Sequence, residues 1–491
     1  MANIGVLVGT GTVGGDAPYK SPWIRHLAKS NAIYIISTIS PTVHLQDPLK
    51  RYHGEERFNI ILESFNDLQA HSTQFKSIYD DKSLHIVASA KQIEELQRWL
   101  GISFSYLASL SREFFDLDTL TESRESTELT QFVFSLVNIF REFFEKNKID
   151  VYINTLEDTT ISVVAYYTAK RLGVRTIGLV PGRFPKTGLM LCEDFQKICK
   201  WNSEIGNWNE ILSQYDTYTI TNPEIADESA KRWNLWSIAG KGGTILEWVY
   251  YNKYRQYILN TYPHANMRMH KISILSSIFD YITETIRIPI IRKFFKPPCW
   301  EDNYFFFPMH YNADAQMTFR EPFTVQTKII EVISRSLPTG YYLYVKPHPH
   351  YLGSDVAVSD IKSISRLTNV KIIDPSVLPM DLIKNSKAVI TINSTTGLEA
   401  LINGTPVISL GHDFYCDPKY AYIVRDLNEL PEIIMDAIKG NSHEKEEIIK
   451  LFVKMAYSNT IWIDTPYNKR GYWTISDDSG KKIADAINNV L

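Results

Sequence analysis

Two short stretches in the last third of the chain carry residue types that can hold a phosphate group. The first is Lys346-Pro347-His348-Pro349-His350. Each proline fixes its own φ and restricts the residue before it, so an imidazole between two prolines is held in place at low entropic cost. His348 can then face a phosphate or a base, or it can cap the sheet by bonding a backbone carbonyl. The second stretch is Asn393-Ser394-Thr395-Thr396-Gly397-Leu398-Glu399. If it opens a helix, its free N–H groups and dipole attract an anion, and three hydroxyls add donors. Gly397 would let a phosphate approach closely. Thr396 and Glu399 also fit a capping box, so Glu399 either ties down its own helix or accepts hydrogen bonds from a ribose. Weaker signals are His310, His412 in Gly411-His412-Asp413-Phe414-Tyr415, and Asp374-Pro375, whose main chain could meet a nucleobase.

The elements around these stretches alternate strand-like and helix-like periods. Strands are expected at Tyr304–Pro308, Tyr341–Val345, Val370–Ile373, Ala388–Ile392 and Pro406–Leu410. Helices are expected at Phe323–Ser336, Pro379–Asn385, Gly397–Asn403 and Leu430–Lys439. This is a doubly wound α/β pattern, in which ligands bind beyond the carboxyl ends of the strands. Upstream, Ile4–Val8, Ala32–Ser37, Leu84–Ala88, Asp150–Asn154 and Arg175–Val180 read as strands, with helices at Thr130–Asn147 and Ile161–Leu172. Residues 200–300 break the rhythm, and Lys296-Pro297-Pro298 marks a boundary. The expected layout is a Rossmann-like acceptor domain over 1–300 with a helical insertion at 200–300. A Rossmann-like donor-nucleotide domain over 301–455 follows, and a helical segment over 456–491 packs back on the first domain.

The bulk numbers fit that layout. At roughly 100–200 residues per domain, 491 residues make two large domains. With 44% apolar and 22% charged residues, the chain can bury full cores. A net charge of −3 gives no sign of a nucleic-acid binder. Four scattered cysteines have neither disulfide-framework nor zinc-ligand spacing, so reduced thiols in a cytoplasmic protein are expected. The N-terminus lacks a basic n-region, and no window is long and apolar enough to cross a membrane.

Taken in order, Phe305–His310, Leu343–Pro349, Leu382–Ile408 and Gly411–Tyr415 resemble the capsule polysaccharide biosynthesis family, which includes bacterial Kdo transferases and is distantly similar to polysialyltransferases. The resemblance implies an α/β fold of two Rossmann-like domains facing across a cleft, GT-B-like. It implies a glycosyltransferase that moves a sugar, such as Kdo or another acidic sugar from a CMP donor, onto a polysaccharide or glycolipid acceptor. It further implies that His348 and the Ser394–Thr396 turn hold the donor's phosphate, with Glu399 nearby and no metal in the nucleotide site. Lys346, Pro349 and Asn393, in the same two loops, complete the expected donor-nucleotide set, and no cofactor is expected. Asn312-Ala313-Asp314 stands where the family often has Pro-Glu, which leaves UDP- and GDP-sugars open.

Glycosyl transfer needs a carboxylate at the anomeric carbon, as general base or as nucleophile. Glu157 and Asp158, just past the strand Asp150–Asn154, can serve, or one of them can cap the next helix. Glu193 and Asp194 rank behind them. Arg183 is a second cleft residue, able to contact an acidic sugar or a phosphate. Gly9–Gly15 lacks the P-loop ending and reads as an acceptor-side loop, with Asp16 a minor base candidate. Ile272–Lys296 is apolar with a basic end. It is either an interdomain helix or a peripheral contact with an anionic membrane. Competing functions are a sugar-nucleotide epimerase or hydrolase, a CDP-polyol phosphotransferase, and a non-catalytic assembly subunit.

Overall fold

A computed structural model describes residues 1–8, 17–37, 55–78, 81, 84, 86–109, 126–155, 160–185, 188–221, 283, 286–310, 325–348, 357–464 and 475–491. Two sheets organise these residues. The first contains β1 (Asn3–Val8), β2 (Ala32–Ser37), β3 (Gln74–Ser77), β4 (Val151–Thr155), β5 (Arg175–Pro181), β6 (Gly188–Glu193) and β7 (Lys197–Ile198). The second contains β8 (Phe295–Lys296), β9 (Asn303–Pro308), β10 (Tyr341–Lys346), β11 (Val370–Ile373), β12 (Ala388–Thr391), β13 (Val407–Ser409) and β14 (Tyr422–Ile423). A last strand, β15 (Thr460–Trp462), returns to the first sheet.

The second sheet runs β14-β13-β12-β9-β10-β11-β8, and each of its pairings is parallel. Leaving aside the edge strand β8, this is the doubly wound order, with the switch point between β9 and β12. Such strands are buried on both faces, and the sequence obeys that rule. In β9, Phe305 and Phe307 enter one core, whereas Tyr304 and Phe306 enter the other. The first sheet runs β15-β6-β5-β4-β1-β2-β3, parallel from β1 to β5, with its switch point between β1 and β4. β6 then turns back against β5, and β15 pairs antiparallel with β6. The fold is therefore α/β with two Rossmann-like units. The loop after β5 meets the loops after β12 and β13, so the carboxyl ends of the two sheets face each other in a GT-B-like arrangement.

The chain crosses back between the units near its end. Ser442 caps the helix His443–Ser458 by accepting from the Lys445 N–H, and β15 follows directly. The helix Asp477–Val490 then lies on the helix Ala17–Leu27. Gly480 allows the close approach, because a Cβ there would strike Pro22. Arg25 and His26 bind Asp477 at 2.5 and 2.9 Å.

Two local expectations need correction. Leu84–Ala88 is not a strand. Ile86 and Val87 are exposed, and the backbone of Ala88 is taken by the Gln131 side-chain amide at 2.8 Å in both directions. The third strand is instead Gln74–Ser77, short and mostly polar. The end of the chain is not wholly helical, since β15 completes the first sheet.

Candidate functional site

The carboxyl edge of the second sheet brings three loops together. β12, β9 and β10 are neighbours, so the residues that follow them lie side by side. The Asn393 N–H donates to His310 Nε2 at 3.3 Å, joining the tips of β12 and β9 across the switch point. Such a bond needs a lone pair on Nε2, so it is made by the tautomer that carries its proton on Nδ1. The His310 backbone is fixed at both its N–H and its carbonyl by the buried Gln326 amide, at 2.8 and 3.0 Å. Asn393 in turn accepts from the His412 N–H at 2.9 Å, which ties in the loop after β13. That contact requires Gly411, because a Cβ there would run into the Ile392 carbonyl. The Met309 N–H donates to the Lys346 carbonyl at 2.9 Å, which holds the loop after β10 in place.

The helix Thr395–Ile402 begins at this edge, directly after the loop that follows β12. Its cap is Ser394, whose hydroxyl accepts from the Thr396 N–H at 3.2 Å. The capping box expected of Thr396 and Glu399 does not form, and Glu399 is not needed to close its own helix. Gly397 serves a different purpose from close phosphate approach. A Cβ there would lie 2.6 Å from the buried Tyr415 ring, whose hydroxyl donates to the Ser394 carbonyl at 2.6 Å. Tyr415 thus braces the helix start from behind, and the glycine makes room for it.

Lys346 ends β10 and is 6% exposed. Burial lowers its pKa to about 8, opposed by the charges of Asp374 and Glu399. Burial likewise raises Glu399 to about 7, opposed by Lys346. A lysine from the β10 loop and a carboxylate from the β12 helix therefore share one low-dielectric site and both titrate near neutrality. Asp374 spends its carboxylate on its own turn, accepting from the Ser376 N–H and hydroxyl at 2.8 and 2.7 Å. His348 is half-buried two residues beyond β10. His412 Nε2 lies 3.2 Å from the Arg425 guanidinium.

Arg183 reaches this edge from the first unit. Gly182 follows β5, and Arg183 adopts left-handed backbone with φ 61°. That conformation costs a non-glycine residue on the order of 1 kcal/mol or more and persists only where the surroundings enforce it. Here Phe184 is inserted against Tyr457 and Trp462, at ring-centroid distances of 5.3 and 6.1 Å. With Phe184 anchored, the side chain of Arg183 turns towards the second unit. Its Nη2 binds Asp413 Oδ2 at 3.1 Å, and its Nη1 donates to Thr395 Oγ1 at 3.3 Å. The two side chains of the ion pair are 13% and 1% exposed.

Residues 244–418 match the family model described as capsule polysaccharide biosynthesis protein. Through this segment the chain is similar to the capsule polysaccharide biosynthesis family. The matched segment contains His310, Lys346, His348, Asn393, Glu399 and His412, whereas Arg183 lies outside it. The chain is 35% identical over 91 residues to the capsule polysaccharide export protein KpsS of Escherichia coli, which is 18% of this chain and 23% of that one. It is 27% identical over 128 residues to protein FixF of Sinorhizobium fredii (strain NBRC 101917 / NGR234), covering 25% and 30%. The alignments thus span less than a third of each curated relative. Among solved structures, KpsC of Thermosulfurimonas dismutans, a β-Kdo 2,7 transferase, is 18% identical with a TM-score of 0.24, covering 48% of this chain and 68% of that one.

Not all the expected residues join this edge. Glu157, Asp158, Asp16 and Pro349 lie outside the described residues. Glu193 and Asp194 lie elsewhere. Because β6 runs antiparallel, they sit beside the amino-terminal half of β5, where Glu193 pairs with Arg175 at 2.7 Å and Asp194 with Lys170 at 3.1 Å. Both have structural partners and face away from the cleft. Asp413, Tyr415 and Gln326 were not singled out from the sequence. Their contacts all come from distant positions, and only the Gly411–Tyr415 match pointed near two of them. Among the described residues, no group of three His, Cys, Asp or Glu could hold a metal ion, and no helix is long and apolar enough to cross a membrane.

Proposed function

We propose that this chain is a sugar-nucleotide-dependent glycosyltransferase of surface-polysaccharide assembly, with its donor nucleotide on the carboxyl edge of the second sheet. One observation carries the reading. At the switch point between β9 and β12, three loops are locked together by His310, Asn393 and His412 beside a helix N-terminus. Ligands of doubly wound sheets bind at such a crevice, and a helix start favours a phosphate.

In this reading the Thr395 N–H and the hydroxyls of Ser394, Thr395 and Thr396 receive the donor's phosphate. Lys346 and His348 supply positive charge and a directed donor from the neighbouring loop. Glu399, released from capping, accepts a ribose hydroxyl. The first unit brings the acceptor and a carboxylate, for which Glu157 and Asp158 are the candidates. The donor of choice is a CMP-linked acidic sugar, and the acceptor a glycan or glycolipid. A glycolipid acceptor agrees with the outer face of the helical turn over 286–292. There Ile288 and Ile291 are buried, whereas Ile286 and Ile290 are 58% and 38% exposed and Arg292, Lys293 and Lys296 face solvent. Such a surface suits peripheral contact with anionic lipid at the inner face of the membrane.

The test is incubation of the full chain with CMP-, UDP- and GDP-sugars, with and without a glycan acceptor. Acceptor-dependent nucleotide release is expected. Conversion of the donor without acceptor would replace transfer with an epimerase or hydrolase, and no turnover with any donor would contradict an enzymatic role.

A further inference from the structure

The carboxyl edge of the first sheet holds a polar side chain that the fold leaves unused. Asn154 is the penultimate residue of β4 and is 2% exposed, yet its amide nitrogen has no hydrogen-bond partner. β1 and β4 are paired as far as Val6 and Ile153, so Asn154 stands where the two strands of the switch point part. Across that gap, the Leu7 carbonyl accepts from Nζ of the buried Lys20 at 2.7 Å. On the other side, Asn154 is in register with Gly178 of β5, which has no side chain to offer. The Phe195 ring fills the space that a side chain at Gly178 would take. Tyr152, two residues earlier and so on the same face as Asn154, lies in the same apolar core as Phe195. An unpaired buried donor destabilises the fold, and asparagine is a poor strand former besides. An apolar side chain of similar size would avoid both penalties. A buried donor that the native fold leaves unmatched points to a partner from outside the chain, and a switch point is where a ligand binds.

We propose that Asn154 is an acceptor-binding residue, whose amide N–H donates to a hydroxyl oxygen of the acceptor sugar. The inference rests on the reading above, in which the first unit brings the acceptor, and it names one contact that the acceptor makes. The chain runs from Asn154 through two residues to Glu157 and Asp158, the candidate bases, so one segment serves both orientation and proton removal. The amide keeps its own protons, and the hydroxyl it holds is a neighbour of the one that attacks. Asn154 therefore sets which face of the acceptor is presented, and its low-dielectric surroundings make that one bond count.

The test is steady-state transfer by full-length wild type, Asn154→Leu and Asn154→Ala, alongside urea unfolding of each. The donors are CMP-Kdo, UDP-N-acetylglucosamine and GDP-mannose, and the acceptors are p-nitrophenyl glycosides of Kdo, glucose, galactose and N-acetylglucosamine. Asn154→Leu should unfold at the same or a higher urea concentration, because it removes an unpaired donor. In both variants the acceptor KM should rise about three- to tenfold, the range of one neutral hydrogen bond, with the donor KM unchanged. Monodeoxy versions of the best acceptor add a sharper readout. Loss of one hydroxyl should raise the KM of wild type by a similar factor and leave that of Asn154→Leu unaltered, which a merely structural residue would not produce. Acceptor KM equal to wild type in both variants overturns the inference and leaves the transferase standing. Marked destabilisation of both variants also overturns it, because the amide would then serve the fold. Wild type that transfers to none of these glycosides from any of these donors defeats the transferase reading, and the inference with it.

Discussion

The backbone N–H of Asn393 and the Nε2 of His310 lie 3.3 Å apart, and this bond stitches the two strands of the switch point together where they diverge. His310→Ala would leave a buried N–H without a partner, at a cost of about 1–3 kcal/mol. Urea unfolding should register that loss. Nucleotide affinity should fall as well, because the start of the Thr395–Ile402 helix is no longer held in register with β9. Unchanged stability and affinity would mean that the crevice is held by other contacts.

Lys346 and Glu399 give the donor site a pH dependence with a definite sign. As pH rises through about 7, Glu399 acquires its negative charge. As pH rises through about 8, Lys346 gives up its positive charge. Both changes make the crevice more negative, so an anionic donor should bind progressively more weakly between pH 6.5 and 8.5. Glu399→Gln should flatten the lower part of that decline and Lys346→Met the upper part. Binding that strengthens with pH would contradict the placement of the phosphate beside this pair.

The proposed base predicts a separation of binding from turnover. Glu157→Gln and Asp158→Asn should retain donor affinity, and one of them should abolish transfer, since general acid–base catalysis alone contributes about 10²–10⁴-fold. Near-normal turnover in both variants would exclude this acid pair.

The 286–292 turn predicts lipid selectivity. The full chain should sediment with phosphatidylglycerol-containing vesicles more than with neutral ones, and added salt should release it. Replacing Arg292, Lys293 and Lys296 with glutamine should remove the difference. Equal partition onto neutral vesicles would contradict an electrostatic contact.

Much of the second unit was legible in the sequence because its strands are continuous apolar runs buried on both faces. Val370–Ile373 was read with its observed bounds, and Ala388–Ile392 to within one residue. The first unit was harder to read. Gln74–Ser77 is short and mostly polar, and β6 runs back against β5, which no periodicity announces. Within the site, the loops after β10 and β12 could be located from strand ends, but the purpose of Gly397 could not, because Tyr415 is what fills the space beside it. Arg183 and the Gly411–Tyr415 loop were each legible as cleft elements, but the Arg183–Asp413 pairing was not, since its members are 230 residues apart and belong to different units.

A crystal structure of the chain bound to CMP, or to whichever nucleotide binds most tightly, tests the position of the nucleotide most directly. The phosphate is predicted to lie within hydrogen-bonding distance of the Thr395 N–H or of the Ser394–Thr396 hydroxyls, with His348 and Lys346 on its other side. A nucleotide seated on the first sheet, or one whose phosphate points away from the start of the Thr395–Ile402 helix, would contradict it.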